Sequence, residues 1–432
     1  MKKNQYSRLI GIILVLLMLV GCQANVPVSE AIAPIAAEDS VDEEAFTHEP
    51  EKSLNVDESV EQLDLPHLAD REVVPFEEAI IQIMDNRLKT IQEKDYDGYM
   101  SAITNKDPYF YNEQERWFME MTDPMIQDLS IEILSTEIID AHTGIVRIRQ
   151  RHKASEFFDF EYPLLFKYEE DRWMDYGYNF AVLKTDRFKV KYMAGESRVD
   201  EFKDMLDLAY DNLEGVYQER PHDNFEMKLF LDRELLRQRT VPTNGWLFTG
   251  WSEPDESLKI YTGHPTGYSG YPGVVQHELV HHITIRICNN NLPVWLLEGI
   301  AMYDGTAYYD FSDSSLLSRM TKAGVSQTIG QLESLDVSSD LTGEQIVNFY
   351  NTSYLLVKYI CDSYGHEVLM DLFYEAGKKP FHDSTLNDTF ESNNQKTANE
   401  VFQSVLGVTK EEISTEYLEW LETTDVFHSQ LR

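Results

Sequence analysis

Two histidines stand four residues apart, with a glutamate directly after the first: His277-Glu278-Leu279-Val280-His281. On an α-helix, positions i and i+4 lie about 40° apart around the axis and roughly 6 Å apart along it. Both imidazoles then reach one metal ion, at about 2.0–2.1 Å for Zn²⁺. Glu278 leans over the same site as a candidate general base. Two ordinary core histidines would show the same spacing, so a third ligand decides the matter. Glu298 supplies one, within the largely apolar run PVWLLEGIAMY at 293–303. Pro293 is placed to open a helix there. A carboxylate inside an apolar helix is costly unless it is paired or binds metal. Two histidines and one carboxylate leave a fourth position open for water, which is a catalytic rather than a structural zinc arrangement. The expected cofactor is one Zn²⁺ per chain, held by His277, His281 and Glu298.

Elements must deliver these groups. A motif helix is expected over 273–287, with Val274, Val275, Leu279 and Ile283 on its buried face. His282, five residues after His277, turns away from the metal side. Gly263, Gly267, Gly270 and Gly273 punctuate the loop before the helix, and His264 in that loop has two readings, a residue lining the cleft or, the one expected, a surface histidine. Upstream, 258–261 is expected as an edge strand, 227–231 as a strand, 232–239 as a short helix and 200–217 as a helix. Further upstream, 76–103 carries a helical apolar stripe (Ile80, Met84, Leu88, Ile91), and 113–121 is a short helix. The period then changes to two over 130–134 and 145–149, with strands at 157–167 and 172–178 and Trp173 pointing inward. The whole is α+β: a helix-plus-antiparallel-sheet domain over 76–184, then a mainly helical domain over 185–432.

The chain has 432 residues and a net charge of −38. That acidity excludes nucleic acid as a partner, because phosphate binding needs clustered Lys and Arg. Residues 23–75 hold 14 Asp and Glu against Lys52 and Arg71, with five prolines and no persistent period, as in a flexible tether. Before them come a basic stretch (Lys2, Lys3, Arg8) and an apolar run over 9–20, the pattern of a signal peptide. Cys288 and Cys361, the two cysteines downstream, are expected as buried free thiols.

Three resemblances add to this. Leu19-Val20-Gly21-Cys22 resembles the bacterial lipobox. That implies a signal peptide over 1–21, lipidation of Cys22, and a lipid anchor holding the protein on the extracytoplasmic face of the membrane, with 22–75 as its tether. The helices and meander of 76–184 resemble the cone-like nuclear transport factor-like (cystatin-like) fold. The HExxH helix with Glu298, followed by the segment 349–365 and the Thr409–Glu412 capping box, resembles the gluzincins and the broader peptidase MA-like bacterial proteins over 187–425. This implies a zincin-like fold, peptide or protein substrates, Glu278 as the base, and an edge strand that aligns the substrate backbone. It also implies a tyrosine that stabilises the oxyanion: Tyr350, or Tyr354 one turn on. The chain departs from thermolysin-like enzymes where they carry an aspartate four residues after the glutamate ligand. Met302 stands there, and Asp304 lies off that face. The expected function is a membrane-anchored zinc metallopeptidase. The alternatives are an idle peptidase fold serving as a binding module, and metal-dependent hydrolysis of a non-peptide bond.

Overall fold

Helix α1 (Phe76–Glu93) forms because one stripe, Phe76, Ile80, Met84 and Ile91, can be buried together. Lys94 then ends it in the left-handed conformation, its N–H returning to the Thr90 and Ile91 carbonyls. Asp95 caps α2 (Tyr96–Met100) by accepting from the Gly98 N–H, and Asp107 caps α3 (Pro108–Met121) by accepting from Phe110. Four long antiparallel strands follow: β1 (Gln127–Asp140), β2 (Thr143–Lys153), β3 (Phe157–Glu169) and β4 (Arg172–Tyr178), adjacent in that order. Glu170 and Asp171, both at positive φ, make the two-residue turn between β3 and β4. Alternate residues of β2 and β3 are buried beneath α1, Trp173 among their neighbours. The computed structural model describes residues 75–423 apart from 155, 218–224, 245–246, 266–267, 269, 306–321, 336–340 and 382–389. The expected signal peptide, Cys22 and the tether up to residue 74 lie outside the described residues.

A second sheet begins at Ala181, so it takes up 181–184, which the sequence pattern groups with the first domain. Its strands are β5 (Ala181–Lys184), β6 (Phe188–Tyr192), β7 (Phe225–Phe230), β8 (Gly250–Trp251) and β9 (Leu258–Tyr261), in the order β5-β6-β7-β9-β8. β6, β7 and β9 are parallel, and β5 and β8 flank them antiparallel. The expectation that 258–261 is an edge strand is therefore corrected. β9 pairs on both sides, which is why Leu258, Lys259 and Ile260 are all buried, and β8 is the outer strand. α4 (Val199–Tyr217) joins β6 to β7, and α5 (Arg233–Thr240) follows β7, capped by Asp232. The remaining helices are α6 (Tyr271–Ile287), α7 (Val294–Gly305), α8 (Lys322–Val325), α9 (Ile329–Glu333), α10 (Gly343–Tyr364), α11 (Val368–Gly377), α12 (Phe390–Val405) and α13 (Lys410–Thr423). Thr409 and Glu412 form the expected capping box before α13. Cys288 and Cys361 are free and buried, as expected. Among the described residues, no helix is long and apolar enough to cross a membrane.

The two sheets share their interior. Leu235 of α5 completes the core formed by Phe76, Ile80, Val146, Leu164 and Trp173. The Trp117 indole of α3 donates to the Gln238 carbonyl at 2.9 Å. Arg116 of α3 reaches Glu256 at 2.6 Å and Glu253 at 3.0 Å, all three buried. The Arg116 pairs run from α3 to the segment between β8 and β9, so the N-terminal part braces the outer strand of the second sheet.

Candidate metal centre

α6 and α7 cross with their functional residues facing. His277 and His281 occupy one face of α6, a turn apart, with their Nε2 atoms 3.2 Å from each other. Glu298 of α7 places Oε2 at 3.5 Å from both. Two ligand atoms each at the usual zinc distance in tetrahedral geometry stand about 3.3 Å apart. The three atoms thus outline one face of a tetrahedron, with the fourth corner left over. They are the metal-site-like cluster found among the described residues.

The electrostatics fit a cation. All three side chains are buried. Burial pushes His277 down to about 4, against the opposing pull of Glu298, and His281 down to about 3. Both imidazoles are therefore neutral, the form that donates a lone pair to metal. His277 also hydrogen-bonds the Ala301 backbone, which orients its ring. Burial raises the Glu298 pKa, with the hydrogen bond and charge of His277 opposing. A buried carboxylate with no cationic partner among the described residues, beside two neutral imidazoles whose Nε2 atoms converge, is a costly arrangement that a divalent cation resolves.

Glu278 stands beside this cluster. Its two oxygens are buried without hydrogen-bond partners among the described residues, and its pKa is raised well above the ordinary value, first by burial and then by Glu298, with Lys259 opposing. Gly250 of β8 explains how it fits: a Cβ there would overlap the Glu278 carboxylate. The outer strand of the second sheet thus lies directly against the candidate base. Gly299, next to Glu298, lets α7 approach α10 closely, since a Cβ there would strike the Ser353 carbonyl of α10. The sequence reading missed both glycines, although a Gly inside a helix or a strand is itself a signal of close backbone approach.

The other expected residues fall as follows. Tyr350 is buried on α10 with its ring edge-on to Phe349, and Tyr354, one turn on, lies 6.2 Å from the Tyr303 ring. His282 turns away from the cluster and packs against Phe225 at 4.5 Å. His264 is not at the surface. It is buried among Tyr261, Tyr268 and Tyr271, and burial lowers its pKa to about 4. Met302 is buried, and Asp304 instead accepts from Tyr217 and lies 2.9 Å from His366 Nε2. Asn351 of α10 is wholly buried with both amide atoms unpartnered among the described residues, a polar group the sequence reading did not single out.

Residues 256–421 match the Peptidase MA superfamily, a span that contains His277, Glu278, His281 and Glu298. Among solved structures, an NTF-2 like protein of unknown function from Shewanella oneidensis MR-1 is similar at 15% identity, over 22% of this chain and 91% of that chain, with a TM-score of 0.20. No curated protein matches the chain.

Proposed function

We propose that the chain is a zinc metallopeptidase of the extracytoplasmic membrane face, anchored through lipid on Cys22, with Glu278 as its general base. The observation that carries the peptidase reading is the buried triangle of His277, His281 and Glu298 with an unpartnered Glu278 beside it. The Peptidase MA match over the same residues supports it. Zn²⁺ bound by the three ligands would polarise the scissile carbonyl and acidify the attacking water. Glu278 withdraws the proton from that water and returns it to the leaving amine, so the base of the first step is the acid of the second. An extended peptide laid along β8 brings its carbonyl to Glu278, because Gly250 offers no side chain in between. Tyr350 is the candidate donor to the developing oxyanion, with Tyr354 as its rival.

The test compares wild type with Glu278→Gln. Both proteins should carry about one zinc per chain by elemental analysis, the stoichiometry of one mononuclear site. Proteomic cleavage profiling should detect cuts by wild type and a loss of roughly 10²–10⁴-fold in the variant. Cleavage that survives metal removal would sink the peptidase reading. Metal without turnover in either protein would favour the idle-fold alternative. Cys22→Ala should release the protein from the membrane fraction, and retention would defeat the lipid-anchor part alone.

A further inference from the structure

A cavity of about 990 Å³ lies between the two sheets, and neither the three metal-ligating residues nor Glu278 lines it. Its charge is opposite to that of the chain. Eight of the 37 Lys and Arg side chains line it, against three of the 75 Asp and Glu. Strand register produces this concentration. Lys191 of β6 stands opposite Lys228 of β7, which stands opposite Lys259 of β9. Three ammonium groups therefore form one row across the sheet. On the same face, Lys184 of β5 stands directly opposite Lys189 of β6. Like charges directly opposite on neighbouring strands are destabilising.

The inner row is neutralised within the fold. Lys191 lies 2.5 Å from Asp107 and 2.8 Å from Glu226, Lys228 is bonded to Glu113, and Lys259 lies 2.8 Å from Glu256. The outer lysines are not. Among the described residues, Lys184 and Lys189 form no ion pair. Lys167 of β3, on the opposing wall, has no carboxylate partner there either and lies over the Tyr176 ring at 4.4 Å. Two features specify the ligand. The lining includes Phe110, Phe180 and the exposed Val182, so the cavity also takes apolar groups. The uncompensated cations are lysines, point charges suited to separate carboxylates, while Arg239 is occupied with the Trp117 and Tyr162 rings. The volume is at the upper end of the roughly 300–1,000 Å³ of ligand pockets, ample for several residues.

We propose that this cavity binds an acidic peptide segment, with carboxylates on Lys167, Lys184 and Lys189 and apolar side chains against Phe180 and Val182. The proposal is independent of the peptidase reading: the cavity is separate, and the test is equilibrium binding. The probe is a fluorescein-labelled octapeptide alternating glutamate with leucine, titrated by anisotropy into the full chain carrying Glu278→Gln, which keeps the probe intact. Saturable binding that weakens with salt is expected. Lys184→Gln combined with Lys189→Gln should weaken it roughly tenfold or more, and Lys167→Gln should act in the same direction. Removing the like-charge pair should leave the Tm of the peptide-free protein unchanged or raise it. The proposal is overturned if wild type does not bind the probe, if the double variant binds it equally well, or if a glutamine-for-glutamate probe binds as tightly. It also fails if the double variant melts lower, because the lysines would then serve the fold. Displacement of the probe by inorganic phosphate or by phosphatidylglycerol vesicles at lower concentrations than unlabelled peptide would reassign the site to phosphate groups or to lipid, and would overturn it as well.

Discussion

Glu278 shows how one carboxylate depends on what is missing around it. Its oxygens have no hydrogen-bond donors among the described residues, and its nearest strand residue is a glycine. Gly250→Ala therefore forces the carboxylate aside without altering His277, His281 or Glu298. The expected result is a loss of roughly a hundredfold in kcat, the scale of a catalytic group displaced by about 1 Å. Zinc content, measured on the same sample, should not change. A variant with wild-type kcat would show that Glu278 does not need this contact. The cluster of His277, His281 and Glu298 with Glu278 beside it was legible in the sequence, because helical spacing alone sets His277, Glu278 and His281 in place and an apolar surround marks Glu298. Gly250 was not legible, because its role is an approach between two elements distant in the chain. His264 was misplaced for the same reason: a lone histidine in a glycine-rich loop does not reveal that three tyrosine rings close around it.

At the scale of elements, strands and helices with a sustained period were readable, and their neighbours were not. The β2 and β3 patterns alternate along their length, whereas β8 has two residues and no period at all. Its position outside β9 became visible only through pairing. The end of α7 offers a prediction of its own. Asp304 accepts from Tyr217, and His366, at the start of the turn into α11, lies 2.9 Å from its other oxygen. The His366 pKa is raised, chiefly by that hydrogen bond, with Asp304 and Glu367 charge adding and partial burial opposing. A histidine with a raised folded-state pKa binds its proton more tightly in the native protein than in the unfolded chain. Its contribution is fully present below the unfolded value near 6.5 and is lost as pH rises through the higher folded value. Urea unfolding of wild type and His366→Gln at about pH 5.5 and pH 8.5 should show the larger stability gap at the lower pH. Equal gaps at both would remove the ion pair from the account and leave only packing against Tyr303.

The molecule as a whole behaves as more than two modules in series. Separate domains were expected on either side of residue 184, and the described residues from Pro75 onward fall in one compact unit. Leu235, from the second sheet's α5, is part of the core beneath the first sheet. The surfaces between them also hold buried ionisable groups. Arg116 pairs with Glu253 and Glu256, and Glu113 with Lys228 and Lys259. Burial raises Glu253 to about 8 despite Arg116, while Glu113 is held well below the carboxylate range by Lys228 and Lys259. Pulling the sheets apart would hydrate these ion pairs, which recovers much of their energy, but it would also expose Leu235 and the apolar core it completes, and that exposure is what couples the two sheets. A core shared in this way is expected to make the two sheets unfold together. Calorimetry should therefore give a single transition whose van't Hoff and calorimetric enthalpies agree. Leu235→Ala removes side-chain volume from the first sheet's core but changes the sequence of the second. It should lower stability by about 2–5 kcal/mol and move the whole transition, with loss of zinc binding and of first-sheet tryptophan fluorescence at the same temperature. Two resolved transitions, with only the earlier one shifted by Leu235→Ala, would mean that the N-terminal part folds independently and that its brace on the outer strand is dispensable.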